Sequence, residues 1–323
     1  MPTEPDKNIF DPDPYIEIGK PAIELASQTL REAFNYGTYL YEKCRLSSKA
    51  DVDEAFPVLA IYLHILQMID SVEILISNIC IEPSKLLIRS AFEAKLGLEF
   101  MNEKMTRTRG IAWIIRNILD RIELGERHTK EHAKGKDFFE TLKREGLEGF
   151  GNISSTTPEM PKDYIENLKN SLEKPECADI YQEYKRLENN RRRVEWYSLY
   201  DGPTNIRDLA EYLKQRSVYD SLYRSWSKQT HAASADHLTL IMEDGQNVLG
   251  PIRYPVNIAH VANFGVGILL QSDIIMINRF LSGDLKHFSK WYRTEIWQRQ
   301  RALMNGELEH LKWFEDNFIN KER

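Results

Sequence analysis

Apolar residues along this chain recur mostly at three- and four-residue spacing, the period of helices, and no run of strict alternation predicts a sheet. Residues 1–18 read as a flexible arm. Pro21 opens a helix that runs to about Cys44. The segment SSKADVDEAF is a polar link, followed by a strongly apolar helix from Pro57 to Asn78 and, after a short break, another from Pro83 to Glu103. These two form a helical hairpin at the core of the fold. Helix continues from Thr108 to Gly146, with Gly110, Gly125 and Gly135 as breaks, and residues 147–162 are the clearest loop. A polar helical pattern covers Asp163 to Arg193, and WYSLYDGP is a turn. Thr204 or Asn205 caps a short helix, IRDLAEYLKQ, with Asp208 in its first turn. The chain is expected to be all-α, a multi-helix bundle. Its arm is 1–18 and its core 19–285, with inserted charged helices and the loop near 147–162. A C-terminal helical extension covers 286–323.

The stretch from Tyr219 to Ile241 carries the most information. Wound at 3.6 residues per turn, it puts Tyr219, Leu222, Tyr223, Trp226, Thr230, Ala233, His237, Leu240 and Ile241 on one apolar face. Asp220, Arg224, Ser227, His231 and Ser234 share a narrow strip beside that seam. An arginine, a hydroxyl and an imidazole in one line next to a packing face make this strip the leading candidate site. DGQNVLGPIRYP then reads as a loop. The apolar stretch from Val256 to Leu281 is interrupted by Asn257, His260, Asn263, Gln271 and Asp273, so it is expected to be a buried helix and not a membrane span.

Composition narrows the classes. With 42% hydrophobic residues and 15 tyrosines in 323 residues, the chain can bury a sizeable core. A net charge of −6 argues against broad non-specific binding to nucleic acid, which rests on clustered lysine and arginine, and leaves room for a local basic site. Cys44, Cys80 and Cys177 lie far apart without a CxxC, as reduced thiols would. The opening MPTEPDKNIFDPDPY is acidic and proline-rich, the opposite of a signal peptide, and the expected location is cytoplasmic with no membrane partner.

Several polar groups interrupt apolar surroundings. Arg89 and Glu93 sit one turn apart in LLIRSAFEAKL, where buried charges need partners. His64, Gln67, Ser71 and Asn78 form a polar strip on the preceding helix and, like His237 and His260, read as satisfied core groups. The segment HTKEH places His128 and His132 at i and i+4 with Glu131 as a base, the pattern of inverted zinc peptidases. It lies in a lysine- and glutamate-rich stretch without a sheet, so a solvated charged face is the better reading, and neither a metal nor another cofactor is expected. Packing the apolar seams together should bring Arg89 and Glu93 opposite Arg224, Ser227 and His231, supported by Asp220 and Tyr223.

RSAFEAKLGLEF (89–100) together with the block from Trp196 to Ser234 resembles a bacterial family of unknown function. The late block is carried by Trp196, Leu209-Ala210, Tyr219, Tyr223, Ser227 and His231. More distantly, the arrangement is similar to HEPN domains, whose signature is an arginine, four to six residues, and a histidine. Arg224 to His231 fits that spacing, with Ser225 where the family prefers asparagine, aspartate or histidine. Arg121 to His128 and Arg127 to His132 fit it too, but outside a late amphipathic helix. The resemblance implies an HEPN-like core, often dimeric, and metal-independent RNA cleavage in phage defence or toxin–antitoxin systems. On that reading His231 moves the proton, Arg224 holds phosphate oxygens with its planar fork, and Ser227 orients either. One histidine per strip would require a two-fold homodimer to complete a site. Two other readings stay open. One is a non-enzymatic helical interaction protein, with an unidentified partner protein, in which the strip is a structural network. The other is a metal-dependent hydrolase at HTKEH.

Overall fold

A computed structural model describes residues 12–47, 52–147, 162–188, 193–226, 239–241, 247–249 and 252–314. The chain is an all-α helical bundle with one short two-stranded ribbon, and it divides into two compact units. The first unit comprises 1–51, 58–102 and 210–323; the second comprises 52–57 and 103–209. The segment after Glu103, which holds the charged helices expected as insertions in the 19–285 core, builds a hydrophobic cluster of its own.

The first unit is built on α1 (Asp13–Arg45), α2 (Val52–Ser77) from residue 58 on, α3 (Ile81–Glu103) up to residue 102, and α9 (Ile258–Phe280). α1 starts eight residues before Pro21, which lies inside the helix, so part of the expected arm is helical. Pro14 fills the first-turn role instead, and tertiary contacts hold the early turns. Tyr15 meets Tyr254 edge-on at 6.0 Å, and a Cβ on Gly19 would come within 2.6 Å of Pro255 Cβ. Pro57 is likewise interior to α2, so the polar link is partly helix. Gly265 of α9 marks the point where the long helices converge. A Cβ there would meet Ile88 of α3, Leu30 of α1 and Ile69 of α2 at 3.1–3.5 Å. A short turn through Asn78 and Ile79, the latter with φ of 50°, reverses the chain between α2 and α3, and His64 Nε2 reaches Ser90 Oγ at 3.1 Å across the hairpin.

Polar links between the helices are few and specific. Glu73 of α2, buried, accepts from Ser27 (2.5 Å) and Arg31 (2.8 Å) of α1 and from Ser77 (2.8 Å). Tyr62 of α2 meets the fully buried Asp273 of α9 at 2.5 Å. Beyond α9, α10 (Leu285–Trp291), a π-helical turn (Tyr292–Ile296) and α11 (Trp297–Phe314) return to α1. Trp291 stacks on Tyr36 with centroids 3.9 Å apart and donates its indole N–H to Glu32 at 2.8 Å. α2 (from Ala55) and α9 are long and apolar enough to cross a membrane by length and composition; 44% and 61% of their most apolar windows are buried within the protein.

The second unit contains α4 (Thr106–His128), α5 (Ala133–Arg144), α6 (Lys162–Leu172) and α7 (Pro175–Glu188). Ile111, Ile115, Ile180, Tyr184 and Val194 form its core, and Tyr184 donates to the Ala112 carbonyl at 2.8 Å. Most of the expected loop at 147–162 lies outside the described residues. The short helix α8, Ile206–Tyr212, is capped as expected: Asn205 Oδ1 accepts from Asp208 N–H at 3.0 Å.

The stretch 219–241 is not one helix. A helical turn at Arg216–Val218 runs into a π-helical stretch, Tyr219–Arg224, and Thr239–Ile241 is strand β1. β1 pairs antiparallel with β2, Asn247–Leu249, with Leu240 opposite Val248. The residues expected to form a loop thus include a strand. Leu240 and Ile241 kept helical phase in the sequence, but β-branched and apolar triplets fit a strand equally well over so short a length.

Candidate functional site

The candidate site lies in the first unit, along the face of α3 that carries Lys85, Arg89, Glu93 and Glu99 at helical spacing. The segment from Tyr212 to Trp226 runs antiparallel to it. Tyr212 meets Phe100 edge-on at 5.5 Å, and Gln215 Nε2 donates to Glu99 Oε2 at 2.5 Å. Further along, Tyr223 covers Arg89, whose guanidinium carbon is 4.1 Å from the ring centroid. At the far end Lys85 Nζ lies 5.8 Å from the Trp226 ring, and Trp226 continues onto His260 and Phe264 of α9 at 5.9 and 5.5 Å.

The centre of this face is a column of two stacked rings with a cation at each end. Arg216 lies 5.8 Å from the Tyr219 ring, Tyr219 stacks on Tyr223 at 4.9 Å with an interplanar angle of 18°, and Arg89 closes the other end. Each cation–ring contact in such a setting is worth about 0.5–2 kcal/mol. Carboxylates neutralise the ends. Arg216 pairs with Asp220 at 2.8 Å and Glu211 at 3.2 Å, and Arg89 approaches Glu93 at 4.0 Å. The Arg89 side chain is 14% exposed, that of Glu93 43%. Burial, and then the Glu93 charge, push the Tyr223 phenol up, against the opposing pull of Arg89. Tyr223 therefore remains a neutral hydrogen-bonding group.

Two lysines on α3 are nearly sealed. Lys85 is 6% exposed and pairs with Glu82 at 2.5 Å; Lys95 is 2% exposed and pairs with Glu99 at 2.6 Å. Burial lowers the Lys95 amine, with Glu99 opposing. Neither lysine was singled out in the sequence, although Lys95 stands in RSAFEAKLGLEF beside apolar residues on both sides. A lysine inside a helix that is apolar all round is the signal that could have found it.

The structure brings Arg89, Glu93 and Tyr223 together. Arg224, in contrast, is exposed, while its neighbours Leu222 and Trp226 are buried. Asp220 is engaged by Arg216. Ser227, His231 and His237 lie outside the described residues.

HTKEH does not present two histidines on one helical face. His128 is the last residue of α4, and His132 is the N-cap of α5, where its Nδ1 accepts from the Lys134 N–H at 3.3 Å. Glu126 takes Lys169 and Lys134 at 2.9 and 3.1 Å; burial raises its carboxyl, and the two lysines outweigh that and hold it below the usual range. No group of three or more metal-ligating side chains occurs among the described residues.

Residues 55–248, which include both the Arg89–Glu93 helix and the Tyr212–Trp226 segment packed on it, match the Family of unknown function (DUF5677). The chain belongs to that family. The DUF5677 match thus spans the α3 face and the late tyrosine block as one unit of sequence. No curated protein and no solved structure matches the chain.

Proposed function

We propose that this DUF5677 protein is a metal-independent ribonuclease in which Arg224 binds the scissile phosphate, His231 moves the proton and Ser227 orients one of them. The observation that carries the reading is the exposure of Arg224 on a helical turn anchored by the buried Leu222 and Trp226. An exposed guanidinium offers a planar fork to phosphate oxygens. The Arg89–Tyr223–Tyr219–Arg216 column beneath it holds the backbone in place, as a positioned catalytic group requires. Cleavage beside a 2′-hydroxyl needs a proton acceptor and a donor, and imidazole titrates near neutral pH. One His231 per chain leads to a homodimer that pairs two strips across a two-fold axis. A cytoplasmic effector in phage defence or a toxin system is the setting that fits such an activity.

A second reading is a non-enzymatic interaction protein. It is favoured by the engagement of Arg89, Glu93 and Tyr223 with one another, which makes that part of the cluster architectural. His231→Ala separates the two. For a ribonuclease, cleavage of single-stranded RNA by the purified protein is lost while helical content and Tm hold. For a structural network, no cleavage is present to lose, and stability falls by about 1–3 kcal/mol through a polar partner left unsatisfied.

A further inference from the structure

We infer that the outer face of α10 and α11 is a docking surface for single-stranded RNA, separate from the Arg224 strip. The choice of RNA as occupant rests on the ribonuclease reading above. Lys286, Lys290, Arg293, Trp297 and Arg301 follow one another at spacings of four, three, four and four residues, and they stay on one side of the chain through the π-helical turn: the first three line one groove, and Arg301 lies against Trp297. All five are exposed. At 1.5 Å per residue they extend over roughly 22 Å, enough to track several nucleotides.

The opposite face is fixed. Phe288, Ile296 and Leu303 are buried, and Trp291 is stacked on Tyr36 and bonded to Glu32 of α1. The basic side chains therefore project from a rigid platform. Leu285, Lys286, Ser289, Lys290, Arg293 and Thr294 line a shallow groove of about 450 Å³ along it.

Charge favours a polyanion. Residues 285–305 hold five lysines and arginines and a single acidic residue, in a chain whose net charge is −6. That acid, Glu295, is spoken for by Arg299 at 3.6 Å. The aromatic side favours bases. Trp297 is 48% exposed, Arg301 lies 5.9 Å from its ring centroid, and the Tyr292 ring meets it at 6.1 Å. An open indole flanked by arginine and tyrosine is a platform on which an unpaired base can stack, with cations beside it for the phosphates. An anionic membrane would use the same charges, but its insertion needs a broad apolar band where this face is mostly cationic.

Binding is measured by fluorescence anisotropy with a labelled 15-nucleotide 2′-O-methyl oligouridylate, which cannot be cleaved through a 2′-hydroxyl, at 50 and 200 mM salt. The full chain is compared with Lys286→Gln/Lys290→Gln/Arg293→Gln and, separately, with Trp297→Ala. Circular dichroism should be unchanged in both, with Tm unchanged in the triple variant, whose altered side chains are exposed, and only slightly lowered by Trp297→Ala, which removes a half-covered ring. The triple variant should bind at least tenfold more weakly, with the slope of log affinity against log salt reduced by about 2. Trp297→Ala should bind about five- to tenfold more weakly with the slope unchanged. Equal binding by wild type and both variants overturns the inference. So does binding of the wild type to phosphatidylserine vesicles, lost in the variants, when the oligonucleotide is not bound. Should the oligonucleotide bind here while unmodified RNA is never cut, the docking surface stands and the ribonuclease reading falls. Cutting of RNA with binding unaltered in both variants gives the reverse.

Discussion

Asp273→Asn should stabilise the protein at neutral pH and remove a pH dependence from its stability. Asp273 sits on α9 with no exposed surface, and burial pushes its carboxyl from an ordinary 3.8 up to about 8, with only the Tyr62 hydrogen bond opposing. At pH 7 the folded protein therefore carries a neutral acid where the unfolded chain carries a carboxylate. The geometry suits the neutral form. Tyr62 Oη is 2.5 Å from Asp273 Oδ1 and 3.2 Å from the Gly37 carbonyl oxygen, so the acid can donate to Tyr62 while Tyr62 donates to Gly37. Asp273 Oδ2 is buried without a hydrogen-bond partner, a poor setting for a charge.

The sign follows from linkage. A carboxyl raised in the folded state contributes its full stability below pH 3.8 and loses it progressively as pH rises to about 8. At about 1.4 kcal/mol per pH unit, the loss reaches roughly 4 kcal/mol by pH 7. Asparagine has nothing to ionise, and its amide can donate to Tyr62 as the acid does. Allowing about half for the second amide hydrogen, which finds no partner, the variant should gain about 2 kcal/mol at pH 7. That corresponds to a rise in Tm of about 4–8 °C. Thermal unfolding of both proteins from pH 4 to pH 8 tests it. The gap between them should widen with pH and close, or reverse, near pH 4. A gap independent of pH, or a variant less stable than wild type at pH 8, would refute a neutral Asp273.

Two further outcomes follow from packing and hydrogen bonding in the same unit. Glu73→Ala should cost about 2–4 kcal/mol in urea denaturation, because Ser27, Arg31 and Ser77 all donate to one oxygen of that buried carboxylate. Gly37→Ala and Gly267→Ala should move stability in opposite directions by thermal melting. A Cβ at 37 would come within 2.7 Å of Leu66 Cδ2 and 3.1 Å of Tyr62 Oη, costing about 1–3 kcal/mol, whereas at 267 it meets nothing within 4 Å and helix propensity gains about 0.5–1 kcal/mol.

Much of the fold was legible because helical periodicity is a local property. The apolar runs of α3 and α9 ended within about two residues of where the sequence put them, and the Asn205 cap was readable from residue types alone. The prolines misled for a reason that is not local. Pro21 and Pro57 each resemble a helix start, yet both are interior. Keeping a proline inside a helix sacrifices a hydrogen bond, a cost of about 3 kcal/mol that only tertiary contacts such as Tyr15 on Tyr254 and Gly19 against Pro255 can offset. Asp273 was visible as an interruption in an apolar stretch, but its partner Tyr62 is 211 residues away, and nothing in either neighbourhood announces the pair.

The candidate site was half legible, and the reason lies in one backbone feature. Winding 219–241 at a uniform 3.6 residues per turn puts Arg224 beside the seam that should face Arg89 and Glu93. The stretch from Tyr219 to Arg224 is π-helical instead, with hydrogen bonds spanning five residues, and this rotates every following side chain relative to the uniform wheel. Contacts on either side keep the segment in register with α3: Gln215 on Glu99 before the π turn, Trp226 on Lys85 after it. With both ends pinned, Tyr223 is the residue that lands on Arg89, and Arg224 turns to solvent. A wider turn of this kind costs hydrogen-bond geometry, so its persistence calls for a compensating gain, and the cation–ring column through Arg216, Tyr219, Tyr223 and Arg89 supplies one. The same rotation sets a largely covered arginine, Arg89, against the ring of Tyr223 and leaves the Arg224 side chain exposed, and that difference is what the proposed ribonuclease needs from the two.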